Sequence, residues 1–594
     1  MYSKGLFYFL IFGLFILTKI NGYVVSNSTG ECNDIYLYLE SQGKLDDLFD
    51  CKMDNNGEVT ELILGDNSDI NVIKKIPKSV KILQISELYS TSTEYMLLTK
   101  EMADELNKLT NLNSLILYNT EINEELDFSN LKNLEEIQLN QCFFDLIPKS
   151  IFNLENLKIL RFYYDSISNK IPFPDEVENL KNLEEIEISN SFTFNSIPKS
   201  ICSLKKLKKL VLNDNELTSL PNEIGNLKNL EELDIRYNSI ITFPKSIENL
   251  KNLKILDAFF NDISNLPTSI GNLKNLETLN LSTNLLTTLP KSIGNLGNLK
   301  ALYISENELT SLPDEIGNLK SLESLIFFEN YLTKLPESIG NLKNLKVLDG
   351  IRNTIVTLPN SIGKLSKLEK LWIYDNDIVE IPLSIFDLNI KNLDLTSNNI
   401  EKIPDEIGNM KNLEGLYLLF NKIKHLPSSI GNLKNLRELE ICSNRLVDLP
   451  KSIGNLESLM YLDVEGNDIT VIPEEIGNLK HLEALNITFN EITHLPKSIV
   501  NLVNLEILNA YGNNIVDIPK NIDRLSKLKK VDLGYNLISE LPESIFNLNN
   551  TIIELRNNDI KKIPSSIKNL EDFPDILIDK EIIDKINPKS SKEN

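Results

Sequence analysis

"LPKSIGNLGNLKALYISENELTS" occupies residues 289–311, and another Leu-Pro begins at 312. Aligning the chain on the Asn of this phrase gives Asn215, Asn238, Asn261, Asn284, Asn307, Asn330, Asn353 and Asn376, each 23 residues from the last. The series continues through Asn398, Asn421, Asn444, Asn467, Asn490, Asn513, Asn536 and Asn558. Around each stands the frame L-x-x-L-x-L-x-x-N-x-L, as in Leu299, Leu302, Ile304, Asn307 and Leu309. The two apolar residues before the Asn are two apart, the spacing of one face of a short strand. The Asn falls where the chain leaves that strand and turns. A buried turn must satisfy its backbone N–H and C=O groups, and an amide side chain both donates and accepts. Stacked repeats therefore predict a ladder of amides. The second half opens with Leu289-Pro290 and passes Gly294; Pro suits the first turn of a helix and Gly its end. A short helix or 3-10 segment is expected there, with Leu296 and Leu299 facing the core.

One such coil cannot bury its own apolar side, so neighbours must cover it. A fixed period overrides the domain count suggested by length, since a solenoid grows without closing a core. The expected fold is α/β, a right-handed coil with a parallel sheet on its inner, concave face and short helices or 3-10 turns outside. About twenty strands at roughly 4.8 Å spacing give an inner arc of about 90 Å.

This frame resembles the leucine-rich repeat family over about residues 59 to 564, which implies a leucine-rich-repeat solenoid, or horseshoe. The form "LPxxIGNLxxLxxL" is similar to repeats of Ras-pathway scaffolds, plant intracellular repeat proteins and plant receptor ectodomains. "ECNDIYLYLE" (31–40) with "DCKMDNNGEVTELIL" (50–64) resembles the Cys-bearing N-terminal cap of secreted members. The resemblance implies a recognition module.

The chain has 594 residues, 41% hydrophobic and 25% charged, with 85 acids against 61 Lys and Arg and a net charge of −24. That balance argues against nucleic acid, whose phosphates need a basic face, and favours a basic or neutral partner. Lys4 precedes the apolar run Gly5 to Leu17, followed by Thr18, Lys19 and Gly22. This order is that of a secretory signal peptide, and the run is short for a spanning helix. The expected organisation is therefore a signal peptide at 1–22, a cap at 23–58, repeats at 59–564, and a C-terminal cap and tail at 565–594, with no transmembrane span in the mature chain.

Cys32 and Cys51 stand between the expected cleavage point and the regular repeats, where a secreted chain can oxidise them into a staple for the cap. Cys142 and Cys202 occupy repeat positions that suit small buried thiols, and Cys442 is expected to face solvent on a strand.

The first quarter is irregular. Thr120, Cys142, Asp165 and Ser191 fill the Asn slot, and "SNKIPFPDEVENL" (168–180) carries an insertion. Terminal repeats commonly serve as caps, so these departures read first as capping, with a binding feature as the alternative. Two repeats lose one residue where Phe386 and Phe546 replace the usual Gly, which should alter curvature locally. The final segment leaves the frame and is expected to cover the last repeat with a helix.

Positions flanking the inward Leu residues project from the concave sheet. They hold Phe259, Tyr303, Phe328, Tyr331, Trp372, Tyr374, Tyr417, Phe420 and Tyr461 among other aromatics, with the acids Asp349, Asp375 and Glu440. Aromatics on a rigid sheet are favoured anchors for protein or sugar partners, although strands accept aromatics for their own sake. The lysines concentrate instead on the outer "NLKNLK" phrase. Sequons stand at Asn27, Asn280, Asn486 and Asn549, with Asn280 and Asn486 expected on the concave face.

Nothing in the sequence assembles a catalytic or metal site, and no cofactor is expected. His425 and His494 are three repeats apart, about 14 Å at strand spacing, and His481 lies outside the sheet, so the three cannot share a zinc or a triad. Each Gly ends a short segment and none forms a phosphate loop. The leading expectation is a non-catalytic recognition protein, secreted or cell-surface associated, binding a protein or peptide (or a glycan) on its concave surface. One alternative, suggested by the resemblance, is a cytoplasmic scaffold in small-GTPase or kinase signalling, which requires that residues 1–22 not act as a signal. Another is a structural surface or wall protein.

Overall fold

The computed structural model describes residues 31–45, 48–65, 70–86, 96–144, 146–163, 166–167, 173–189, 195–567 and 570–586. The expected signal peptide, the Asn27 sequon, the slot residues Asp165 and Ser191, and the last eight residues lie outside that set. The chain divides into two compact units, Met1–Thr193 and Phe194–Asn594.

In the first unit, helix Glu31–Ser41 buries Cys32, Ile35 and Leu39, and Cys32 is disulfide-bonded to Cys51. Cys51 lies on strand Leu48–Met53, which pairs antiparallel with Val59–Gly65. From there every step is parallel: Ile82–Ser86, Ser114–Tyr118, Glu136–Asn140, Ile159–Tyr163 and Glu185–Ser189. A second, small parallel sheet follows the turns, built from Met96–Leu98, Thr120–Ile122, Phe143–Phe144 and Ser166–Ile167. These strands are two or three residues long, too short to leave a periodic pattern in the sequence.

The irregular slot residues work as reduced versions of the Asn. The Thr120 hydroxyl donates to the Tyr118 carbonyl (2.8 Å), and the buried Cys142 thiol lies 3.6 Å from the Leu117 and Asn140 carbonyls. The insertion delivers Phe173 to the core, edge-on to Phe152 and Phe162 at 6.0 Å from each.

The second unit is a regular solenoid. Three-residue strands such as Ala301–Tyr303, Ser324–Ile326 and Val347–Asp349 pair in parallel, each residue opposite its equivalent one repeat on. Leu296, Leu299, Leu302, Ile304 and Leu309 are fully buried, as the period of two and its continuation through the outer segment require. The outer segment is 3-10, for example Lys291–Asn295, with Pro290 immediately before it in extended backbone. The Ile293 and Leu296 amides donate to the Pro290 and Ile293 carbonyls, so successive three-residue turns replace an α-helix.

Gly294 serves a different purpose from the expected helix end. A Cβ there would stand 2.2 Å from the Glu315 carbonyl oxygen of the next repeat, so Gly is set by the closeness of the stacking. Where Phe386 takes this place, it is itself buried, and Leu388 leaves the segment at ψ 141° against 69° for Leu296. The pairing between the strands on either side of it shrinks to Trp372↔Asp394.

The amide ladder is complete in its bonding. Asn307 donates to the Ile304 and Ser305 carbonyls of its own repeat and to the Leu281 carbonyl of the preceding one, and accepts from the Leu286 amide. The residue before each such Asn is in the left-handed region, as at Glu306 (φ 50°), Glu329 (φ 53°) and Phe420 (φ 51°), held there by the Asn bonds that follow. At the end, strand Ile576–Leu577 extends the sheet, helix Lys580–Ile586 follows, and Phe573 packs on Phe546 at 4.9 Å.

Candidate functional site

Register decides which side chains of the second unit share a row on the strand face. Tyr303, Ile326, Asp349, Trp372, Asp394, Tyr417, Glu440 and Asp463 are consecutive partners across the sheet. Tyr461 sits in the parallel row, opposite Glu438. Phe259, Phe328 and Tyr374 follow two residues behind the main row and are half-buried. Tyr331 and Phe420 flank the ladder Asn of their repeats and are well exposed, at 59% and 58%.

The expected site is not one uniform groove. Phe259 joins Tyr237 and Phe260 in a cluster with ring centroids 5.2 to 6.2 Å apart, two repeats before Tyr303 and further from the other candidates. Asp349 was expected to project from the sheet but is buried, accepting from the Ile351 amide, and burial raises its carboxyl above the usual range. Trp372 is half-buried, with the Lys370 ammonium 5.2 Å from its ring centre. Asp375 shares Arg352 with Glu329, at 3.4 and 2.6 Å. The stretch from Phe328 to Asp375 thus already holds its own cations.

The neighbouring stretch does not. Asp394, Glu438, Glu440, Asp463 and Glu465 lie within four successive strand repeats or their exits, and among the described residues none is ion-paired to Lys or Arg. Tyr417 donates its hydroxyl to Glu438, and Tyr461 donates to Asp463 at 2.8 Å. Burial, then Asp463, Glu438 and Asp394, raises the Glu440 carboxyl. Cys442, expected on a strand in solvent, instead follows strand Glu438–Glu440 and is half-buried; burial and Asp463 push its thiol up. Such a thiol is a poor nucleophile.

Asn486 borders this field. Its amide nitrogen donates to Asp463 (3.0 Å) and Glu465 (2.9 Å), so the atom a glycan would occupy is in use. Asn280 is likewise half-buried on the strand face, whereas Asn549 is exposed. His425 and His494 face Asp448 and Asp517 of the following repeats, at 3.0 and 3.8 Å. Among the described residues, no three His, Cys, Asp or Glu are placed to hold a metal ion, and no helix is long and apolar enough to cross a membrane.

Three features escaped the sequence reading. The lysines before the strands pair with glutamates one repeat away, as Lys254–Glu231, Lys300–Glu277 and Lys346–Glu323, each at 2.7 Å. The second Asn of "NLKNL" forms an outer ladder, with Asn252, Asn275 and Asn298 donating to the Lys228, Lys251 and Lys274 carbonyls. Its 23-residue recurrence was the available signal. Last, the Leu-Pro phrases line a lateral groove of about 1350 Å³ over Leu449, Ile472, Leu495, Ile518 and Leu541.

The model of a leucine-rich repeat region matches residues 193–262, 259–331, 387–466 and 451–534. A leucine-rich repeat protein of Leptospira interrogans is 36% identical, with 61% of this chain and 92% of that one aligned and a TM-score of 0.54. The plant peptide hormone receptor RGFR1 in complex with RGF2 is 27% identical over 86% of this chain and 93% of its own, at a TM-score of 0.62. The Arabidopsis receptor kinase HAESA, in complex with the peptide hormone IDA and the co-receptor SERK1, is 25% identical over 88% and 97%, at 0.57. Identity at this level along almost the whole Leptospira protein joins the parallel strands, the amide ladder and the matched repeat regions in one conclusion: this chain belongs to the leucine-rich repeat family.

Proposed function

We propose that the protein is a non-catalytic recognition protein that binds a basic peptide or protein segment on the strand face of its second unit, centred on Tyr417 to Glu465. The observation that carries this reading is the row of carboxylates without cations beside the Tyr417 and Tyr461 rings. A guanidinium or ammonium group would supply the missing charge, and charge-assisted hydrogen bonds are about twice as strong as neutral ones. Aromatic faces alongside add cation–π attraction. RGFR1 and HAESA, solved with RGF2 and IDA, support a peptide as the ligand class. Phe328, Tyr331, Tyr374 and Phe420 would form the flank of the same surface, and Trp372, Asp349 and Asp375 would act less directly, given their existing partners.

The Cys32–Cys51 disulfide supports a secreted or cell-surface location, since such bonds persist in oxidising compartments. The proposed organisation remains a signal peptide at 1–22, a cap to 58, repeats to 564 and a terminal cap. Mass spectrometry of the mature N-terminus tests it: a start near Tyr23 supports secretion, and an intact Met1 on a cytosolic chain defeats it.

The binding test is calorimetry of the full chain with an Arg- and Lys-rich decapeptide and its Glu-substituted counterpart. Only the basic peptide should bind. Affinity should fall with salt, because the Debye length is only about 8 Å at physiological ionic strength. The double variant Glu438→Gln, Glu440→Gln should lose at least tenfold. Equal binding of both peptides, or an unchanged double variant, refutes the assignment.

A further inference from the structure

A second patch on the same unit differs from the acidic row in both shape and charge. Phe489 and Tyr511 meet edge to face with ring centroids 5.4 Å apart, and Tyr511 and Tyr535 lie 5.0 Å apart at 56°. Phe489 and Tyr535 are 55% and 54% exposed, and Tyr511 is half-exposed. Both outer rings stand on left-handed backbone, φ 50° and 53°, which turns them away from the buried ladder. Two glycines clear the surface between the rings. A Cβ on Gly512 would meet the Phe489 ring at 2.7 Å, and one on Gly534 the Tyr511 ring at 3.2 Å. The rings therefore border positions that carry no side chain.

The polar groups around them are balanced. Lys530 is 3.7 Å from Asp532, and Arg556 is paired with Glu554. The patch thus offers aromatic faces and neutralised ion pairs, with none of the uncompensated charge found between Asp394 and Glu465.

We propose that the Phe489–Tyr511–Tyr535 patch binds a neutral oligosaccharide. The C–H face of a pyranose is weakly positive and apolar, and packs against the negative face of an aromatic ring. Its hydroxyls both donate and accept, so they can use the two ion pairs without requiring net charge. A basic peptide would meet paired carboxylates here and finds better partners in the acidic row. The two sites are separate and can fail separately.

The test uses the full chain with cellohexaose, xylohexaose, mannohexaose and chitohexaose, read by saturation-transfer NMR and calorimetry, with circular dichroism as the fold control. At least one hexaose should bind the native chain. Tyr511→Ala should weaken that binding at least tenfold, Tyr511→Phe should retain it within about twofold, and Glu438→Gln with Glu440→Gln should leave it unchanged. The proposal is overturned if none of the four binds, if Tyr511→Ala binds as the native chain does, or if a proline-rich peptide takes the patch while the sugars do not.

Discussion

Replacing Asn330 with Ala tests the inner amide ladder at one rung. Asn330 is 4% exposed. Its amide nitrogen donates to the Ile304 and Phe327 carbonyls at 3.0 and 3.1 Å, and its oxygen accepts from the Leu309 amide at 3.0 Å. The Phe327 carbonyl keeps a second donor in Asn353, 3.1 Å away, so it is not stranded by the change. The Ile304 carbonyl likewise keeps Asn307, at 3.2 Å, so the Leu309 amide alone loses its partner. A buried group left without its partner costs about 1–3 kcal/mol, so the change should cost about 2 kcal/mol. The loss should be local, because each repeat contacts only its neighbours. Hydrogen exchange read by mass spectrometry on peptides covering residues 304–312 should show the Leu309 amide exchanging about thirtyfold faster, at about 1.4 kcal/mol per tenfold.

The control is Asn298→Ala in the outer ladder. Asn298 makes a bond of similar length, 3.0 Å to the Lys274 carbonyl, but in solvent. Water replaces that bond, so the cost should stay below about 1 kcal/mol. Equal effects at the two positions, or unchanged protection of Leu309, would refute the claim that burial gives the inner ladder its importance.

Two glycines of one repeat should respond with opposite sign. Gly294→Ala places a methyl 2.2 Å from a backbone oxygen and should lower the urea midpoint by an amount equivalent to about 1–3 kcal/mol, whereas Gly297→Ala meets nothing within 4 Å and should be neutral or stabilising by up to about 1 kcal/mol. Glu440 should give a pH signature. Its folded carboxyl is raised above 4.5, so in the window from that value upward the native state holds more protons than the unfolded chain, and stability falls as pH rises through it. Glu440→Gln should flatten that slope in urea titrations, and an unaltered slope counts against the charge cluster. Cys32→Ser with Cys51→Ser opens a loop of sequence separation 19 and should cost roughly 3 kcal/mol, read as faster proteolysis of the first unit while peptides from the second remain protected.

Much of the site was legible because the repeat assigns each side chain to a face by local geometry alone. Tyr303, Trp372 and Tyr417 could be placed on the strand row from their distance to Asn307, Asn376 and Asn421, and the register agrees. Charge state was not legible. Arg352 neutralises Asp375 and Lys370 covers Trp372, while Glu440 and Asp463 keep no cation; identical repeat positions differ because the partner stands one repeat away or across the row. Cys442 looked exposed because its place in the frame fixes its direction but not how closely Asp463 approaches.

The sequence by itself determined the solenoid, its Leu and Ile core, the amide ladder and the face that carries the aromatics. Each of these follows from spacing within one repeat, and spacing survives repetition. Only the tertiary structure decided which acids stay unpaired, why Gly294 must lack a side chain, that a strand pairing shortens beside Phe386 but not beside Phe546, and that Phe489, Tyr511 and Tyr535 meet. These depend on the few ångströms between stacked repeats, where residues about 23 positions apart become neighbours.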